Sequence, residues 1–192
     1  MTSTPWLGDI EAKPAPGSLR LVQAFINTVD LESGRDRLAG VDDARAWLVG
    51  NGLSAPTDTP TQEDLRFLAG VREGLRALVV HNSGGPAIDP TCVAPLRAVA
   101  ESGAIRAVLD DDGRVSLIAD GDSIRARMLS LLVIVKDAQL DGTWTHLKAC
   151  ANDDCRWAFY DRSRNHGGTW CDMATCGNKL KNRDFRARRR GD

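Results

Sequence analysis

The sequence predicts an α+β architecture in two parts: a mainly α N-terminal domain with one β-hairpin over residues 1–142, and a small cysteine-bearing domain over residues 143–192. Three observations carry this reading. Apolar residues recur at helical spacing through the first part and are interrupted by one strand–turn–strand pattern. Four of the five cysteines fall in the last 43 residues. The formal net charge of −1 is split, with 14 Lys+Arg against 20 Asp+Glu in residues 1–145 and 11 against 6 in residues 146–192, which gives −6 and +5. Asymmetry of that kind points to a nucleic-acid partner or a basic tail. The 42% hydrophobic and 27% charged content is that of a folded globular chain. No stretch approaches the ~20 apolar residues of a membrane span. The opening MTSTPWLGDIEAKP has neither a basic n-region nor an apolar h-region, so no signal peptide is expected.

The elements follow in order. Residues 1–17, rich in proline and glycine, read as extended. Ser18 is placed to cap a helix whose Leu19, Val22, Phe25, Ile26 and Val29 share one face. Gly34 and Gly40 break the chain, and Asp42 or Asp43 opens a short helix with Ala44, Trp47 and Leu48 inside. A long helix is expected over 62–81, with Leu65, Leu68, Val71, Leu75, Leu78 and Val79 inward and with Gly70 and Gly74 as internal weak points. Another helix is expected over 90–100. Strands 105–109 and 114–118 flank Asp110-Asp111-Asp112-Gly113, whose Asp-Gly tolerates positive φ, so they form a hairpin. Asp122 caps a last helix, to residue 140. This part shows no acid–base pair and no phosphate loop; His81 reads as a solvent-facing helix end and Cys92 as a small buried hydrophobe.

Cys150 and Cys155 are separated by four residues, as are Cys171 and Cys176, with 15 residues between the pairs. Two such pairs suit a tetrahedral four-thiolate zinc site, each pair forming a knuckle and the spacer bringing the chain back. Two disulfides would require an oxidising compartment. His146 and His166 stand nearby as alternative ligands. Four thiolates close the coordination sphere, so the Zn2+ is structural rather than catalytic. So small a unit depends on its metal to fold. Residues 143–149 and 156–161 are β-prone and form a hairpin turned by the first knuckle. A helix is expected from Asp172 to Arg190, with Met173, Cys176, Leu180 and Ala187 towards the metal and Lys179, Arg183, Arg186 and Arg190 on a basic face. Knuckle hairpin followed by a ligand-bearing helix is a treble-clef-like zinc finger rather than a ribbon.

Gly177 to Arg190 carries seven Lys or Arg and one Asp, a net +6 over fourteen residues. Arg162 and Arg164 add to it from the loop between the cysteine pairs. A polyanion is the partner this charge suits, because each neutralised phosphate releases counterions. The candidate nucleic-acid contacts are Arg162, Arg164, Lys179, Lys181, Arg183, Arg186, Arg188, Arg189 and Arg190. Trp157, Phe159, Tyr160 and Trp170 either stack on bases or cover the metal.

Cys150-x4-Cys155-Arg-Trp-x-Phe-x-Asp161-Arg-Ser-Arg-Asn165, then Trp170-Cys171-x4-Cys176-Gly177-Asn178, resembles the bacterial CGNR zinc-finger family. Ala24-Phe25-Ile26-Asn27-Thr28 and the Leu-rich helix from Leu65 resemble the ABATE domain that precedes that finger. The resemblance implies a stress-induced transcriptional regulator with Cys150, Cys155, Cys171 and Cys176 on zinc and the finger on DNA. The namesake arginine is Lys179 here, which keeps the charge and loses the planar bidentate fork.

The expected function is therefore that of a bacterial cytoplasmic regulator, nucleoid-associated when bound to double-stranded DNA. It is not expected to be an enzyme or to touch membranes. Its N-terminal domain would be a sensor for an unknown small-molecule effector or a homodimerisation module. RNA or ribosome binding is the first alternative, carried by exposed aromatics, and a zinc-finger protein–protein adaptor is the second.

Overall fold

A computed structural model describes Trp6 and residues 11–179 of the chain. Its elements are α1 (Leu19–Ile26), β1 (Val29–Asp30), β2 (Arg35–Asp36), α2 (Val41–Gly50), α3 (Gln62–Asn82), α4 (Ala94–Ser102), β3 (Ala104–Leu109), β4 (Val115–Asp120), α5 (Ile124–Leu140), β5 (Leu147–Ala149) and β6 (Ala158–Tyr160). A 3₁₀ turn over Trp144–His146 leads into β5, and a π-helical turn over Met173–Gly177 carries the last cysteine. The strands form three separate antiparallel pairs, β1–β2, β3–β4 and β5–β6. Among the described residues no helix is long and apolar enough to cross a membrane.

Helical spacing puts Val22, Phe25 and Ile26 of α1 against Leu68, Leu75 and Val79 of α3 and Met128 and Leu131 of α5, and all eight are fully buried. Each such side chain contributes roughly 1.5–3 kcal/mol of transfer free energy. α3 starts in a capping box: Thr61 accepts from the Asp64 amide, and the Asp64 carboxylate accepts from the Thr61 amide. Its internal Gly74 is explained by α4, since a Cβ there would lie 2.9 Å from Leu96 Cγ and 3.0 Å from the Cys92 carbonyl oxygen. The β3–β4 turn is closed by Gly113 at φ 78°, whose amide bonds to the Asp110 carbonyl at 3.0 Å, and the Asp110 amide bonds to the Arg114 carbonyl at 3.0 Å.

Four local expectations are corrected. The Ser18 side chain makes no capping bond. Ser123, not Asp122, caps α5 by accepting from the Ala126 amide, while Asp122 pairs with Arg127 at 3.0 Å. The helix expected over 90–100 begins only at Ala94, with Pro95 in its first turn, where proline's missing N–H costs nothing. Cys92 is exposed rather than buried, because it sits on the turn before α4. The β1–β2 pair is an addition that two-residue strands gave no periodic signal for.

The hydrophobic core runs past residue 142 without interruption. Trp144, Leu147, Ala149, Ala158 and Tyr160 belong to the same buried cluster as α1, α3 and α5. β5 lies on the end of α3, where the Asn82 side-chain amide donates to the carbonyls of Trp144 and Leu147 at 2.9 and 3.1 Å. The Ser83 hydroxyl accepts from the Ala149 amide at 2.8 Å.

Candidate metal centre and nucleic-acid face

The β5–β6 hairpin pairs Leu147 with Tyr160, Lys148 with Phe159 and Ala149 with Ala158, and the turn between the strands carries Cys150 and Cys155. The Asn152 carbonyl accepts from the amides of Cys155 and Arg156, both at 2.9 Å, which folds this turn into a knuckle. Arg156 takes a left-handed conformation at φ 45°. Cys171 and Cys176 approach from the far side on the chain entering the π-helical turn, whose start Asp172 caps by accepting from the Thr175 amide at 2.8 Å.

The ligand atoms of Cys150, Cys155, Cys171 and Cys176 all lie within 4.8 Å of one another. Two separations test the fit: Cys155 Sγ to Cys171 Sγ is 3.7 Å and Cys171 Sγ to Cys176 Sγ is 3.8 Å. A tetrahedron with the usual Zn–S bond has S···S edges of about 3.8 Å. Cys150 and Cys176 are buried and the other two half-buried. The crowding separates their acidities: bonds from the Cys155 and Cys171 thiols hold Cys150 far below the usual thiol range, and their contacts with Cys150 push Cys155 and Cys171 above it. With a cation between them all four sulfurs can be held as thiolates at this range. The Asn152 side-chain amide donates to Cys176 Sγ at 3.8 Å, the kind of outer contact that orients a thiolate. His146 and His166 are not ligands; their rings stack on each other at 3.8 Å.

Three groups from the first part of the chain hold this centre in place. Asn27 is 1% exposed, and its side-chain amide pairs with Ala158 as a strand would, donating to the carbonyl at 2.9 Å and accepting from the amide at 2.8 Å. Gln23 donates to the same carbonyl at 3.1 Å. Arg76, 4% exposed, donates to the Ile26 carbonyl at 2.7 Å and to the Arg156 carbonyl of the knuckle at 3.0 Å. Burial lowers the Arg76 pKa, while Glu73 and the nearby Cys155 work to raise it. Residues 11–14 lie along β6: the Lys13 carbonyl accepts from the Tyr160 amide at 3.0 Å, and Glu11 accepts from the Trp157 indole N–H at 3.0 Å. Burial raises the Glu11 pKa against the bonds from Asn27 and Trp157.

The arginine loop is organised by Asp161, 3% exposed. Its carboxylate accepts from the amides of Ser163 at 3.0 Å and Gly168 at 2.7 Å and pairs with Lys148 at 2.9 Å. Burial works to raise its pKa, but these bonds outweigh it and hold the carboxyl below the usual range. Arg162 donates to the Pro14 carbonyl at 2.9 Å, whereas Arg164 is exposed and makes no polar contact among the described residues. A cavity of about 880 Å³ opens beside the metal site, with Glu11, Glu32, Trp157, Phe159, Asp172 and Lys179 in its walls.

The family model of the CGNR zinc finger matches residues 146–189, and that of the ABATE domain, described as a "putative stress-induced transcription regulator", matches residues 19–139. The chain belongs to the ABATE family and ends in a CGNR zinc finger. No curated protein matches it. The four cysteines of the finger hold a structural zinc ion. Its CGNR motif reads Cys176-Gly177-Asn178-Lys179. Gly177 is closely packed: a Cβ there would come within 2.4 Å of Met173 Sδ, the movable end of an exposed side chain, and 3.2 Å of Trp170 Cδ1. Asn178 donates to the Ala174 carbonyl at 3.2 Å. Lys179 bonds to the Glu32 carboxylate in the β1–β2 turn, which raises its pKa.

Of the basic residues singled out in the sequence, Arg162, Arg164 and Lys179 are exposed. Lys181, Arg183, Arg186, Arg188, Arg189 and Arg190 lie outside the described residues, as does most of the helix expected from Asp172 onward. Sequence reasoning missed Gln23, Asn27 and Arg76. The only available signal was polar residues standing on otherwise apolar helix faces.

Proposed function

We propose that the protein is a bacterial cytoplasmic transcription regulator whose zinc finger binds double-stranded DNA, without catalysis. The observation that carries the reading is the run of seven basic residues that begins three positions after the last zinc ligand. Zinc fixes the start of that run, and the Asp161-organised loop sets Arg164 in solvent nearby. Arg162, Arg164, Lys179, Lys181, Arg183, Arg186, Arg188, Arg189 and Arg190 supply the phosphate and groove contacts. Lys179, as a point charge, suits a phosphate better than bidentate reading of guanine.

Burial favours duplex over single-stranded RNA. Of the four aromatics that could stack on a base, Phe159 is 1% and Tyr160 8% exposed and offer no face, which leaves the half-buried Trp157 and Trp170. The ABATE unit acts as the sensor, and a small-molecule effector in the cavity beside Glu32 and Lys179 would touch both parts at once. The test is a mobility shift with duplex DNA at two salt concentrations. Affinity should fall on the order of 10³-fold between 50 and 200 mM salt. Absence of binding to any duplex at low salt overturns the reading.

A further inference from the structure

The β3–β4 hairpin exposes what a sheet normally covers. In its register Ile105 faces Ala119, Ala107 faces Leu117 and Leu109 faces Val115, so these six side chains share one face and all are apolar. Of that face only Ala119 packs on the core; Ile105, Leu109, Val115 and Leu117 are 50%, 68%, 65% and 40% exposed. The other face mixes Arg106, Ser116 and Asp120 with Ala104, Val108 and Ile118, and Arg106 lies 3.6 Å from Asp120.

The backbone of β3 is open as well. The Asp110 amide bonds to the Arg114 carbonyl, which makes that pair a hydrogen-bonded one. Alternation along the antiparallel ladder then turns the N–H and C=O of Leu109, Ala107 and Ile105 away from β4. Among the described residues nothing pairs with them. Natural sheets blunt such edges with lysine, proline, a bulge or brevity. β3 is six residues long, without proline or bulge and with Arg106 as its one charge, whereas the β1–β2 strands have two residues each and the β5–β6 strands three.

We propose that β3 is a dimer edge, pairing antiparallel with β3 of a second copy of this chain about a two-fold axis at Ala107. In this register the second copy's Leu109, Ala107 and Ile105 stand opposite Ile105, Ala107 and Leu109. All the outward backbone groups are then satisfied, and the smallest side chain lies on the axis. Arg106 stands opposite Val108. Sliding the pairing towards the strand start puts Arg106 opposite Arg106, a like-charge clash. Sliding it the other way puts Ile105 opposite Asp111 and leaves outward groups unpaired. The edge is thus complementary to itself in one register. β4, on the far side of the hairpin, runs beside α5. The resulting four-stranded sheet doubles the apolar face of the hairpin.

Sedimentation of the full zinc-loaded chain, without DNA, tests this. Across micromolar concentrations the mass should approach twice the 20.8 kDa of one chain. Ala107→Pro deletes an outward N–H and leaves the hairpin's own ladder intact, so it should return the mass to that of one chain. Amide exchange provides a readout that needs no variant: Ile105, Ala107 and Leu109 should exchange more slowly as concentration rises. A chain that stays monomeric throughout, an Ala107→Pro variant that still dimerises, a ladder of higher oligomers, or exchange at Ala107 independent of concentration would each overturn the proposal.

Discussion

Up to residue 142 the chain buries Leu19, Phe25, Ile26, Leu48, Leu68, Leu75, Met128 and Leu131 to 3% exposure or less. Beyond Ala149 the buried side chains among the described residues are Cys150, Asn152, Ala158, Phe159, Tyr160, Asp161 and Cys176. The first set is a core in the ordinary sense, held by removal of apolar area from water. The second set is mostly thiols, an amide and a carboxylate, and its largest apolar member is a single phenylalanine. The finger therefore takes its order from metal and hydrogen bonds, and it borrows its apolar support from α1 and α3 through the shared cluster. The dependence runs both ways, because Gln23, Asn27 and Arg76 would each lose a hydrogen bond to the backbone of the finger if it left.

Removing the metal strains this comparison most. Cys171→Ser should abolish bound zinc, measured by atomic emission, and unfold residues 143–179. The free energy at stake is that of structural zinc binding, about 10–16 kcal/mol near neutral pH and smaller as pH falls, because protons compete for the thiolates. The shared core adds a sharper expectation: the main helical transition should also move to lower temperature. A variant that lost its zinc and kept the native main transition would show that the two regions are independent. Unchanged metal content would refute the four-cysteine site itself.

The next effect is smaller and probes the borrowing directly. Asn27→Ala leaves the Ala158 amide buried without a partner and removes one of the two side-chain donors to its carbonyl. An orphaned buried group costs about 1–3 kcal/mol, which for a chain of this size lowers the melting temperature by about 6 °C. Asn178→Ala is the matched control, since it loses one bond at an exposed position, and exposed changes stay within about 0.5 kcal/mol. Equal losses from the two variants would mean that Asn27 is not the joint it looks to be.

The contrast also explains what could be read from the sequence. Apolar period gave α3 and α5 within a residue or two, and Asp110 to Gly113 gave the β3–β4 turn, because those signals are local. The same period gave the start of α1, but its expected face ran on to Val29, whereas the helix ends at Ile26 and Val29 enters β1. The cysteine spacing gave the metal ligands, since tetrahedral thiolate coordination constrains which residues take part more than where they lie. The joints were illegible. Asn27 and Ala158 are 131 residues apart, and a side-chain amide that mimics a strand leaves no local mark. Residues 11–14 read as extended; they bend at Ala12 and Lys13, and nothing in them announces a partner in β6. Asp122 and Ser123 are both competent caps by residue type, and the sequence does not say which of the two neighbours the helix starts from; Ser123 caps, while Asp122 pairs with Arg127.

The smallest effect concerns the contact that crosses from one charge territory to the other. Lys179 belongs to the +5 region and Glu32 to the −6 region, and their side chains are 56% and 45% exposed. A pair so exposed is worth roughly 0–1 kcal/mol, so Glu32→Gln should leave the melting temperature unchanged. On the DNA-binding reading the same change frees Lys179 from a competing carboxylate. Duplex affinity at low salt should then rise about twofold, the equivalent of roughly half a kcal/mol. Lys179→Gln should act in the opposite direction and flatten the salt dependence by about one phosphate contact. If Glu32→Gln leaves affinity unchanged while Lys179→Gln weakens it, Lys179 reaches phosphate without giving up Glu32, and the acidic turn does not restrain the finger. If neither substitution moves affinity, Lys179 lies off the DNA face, and the binding charge begins further along the basic run.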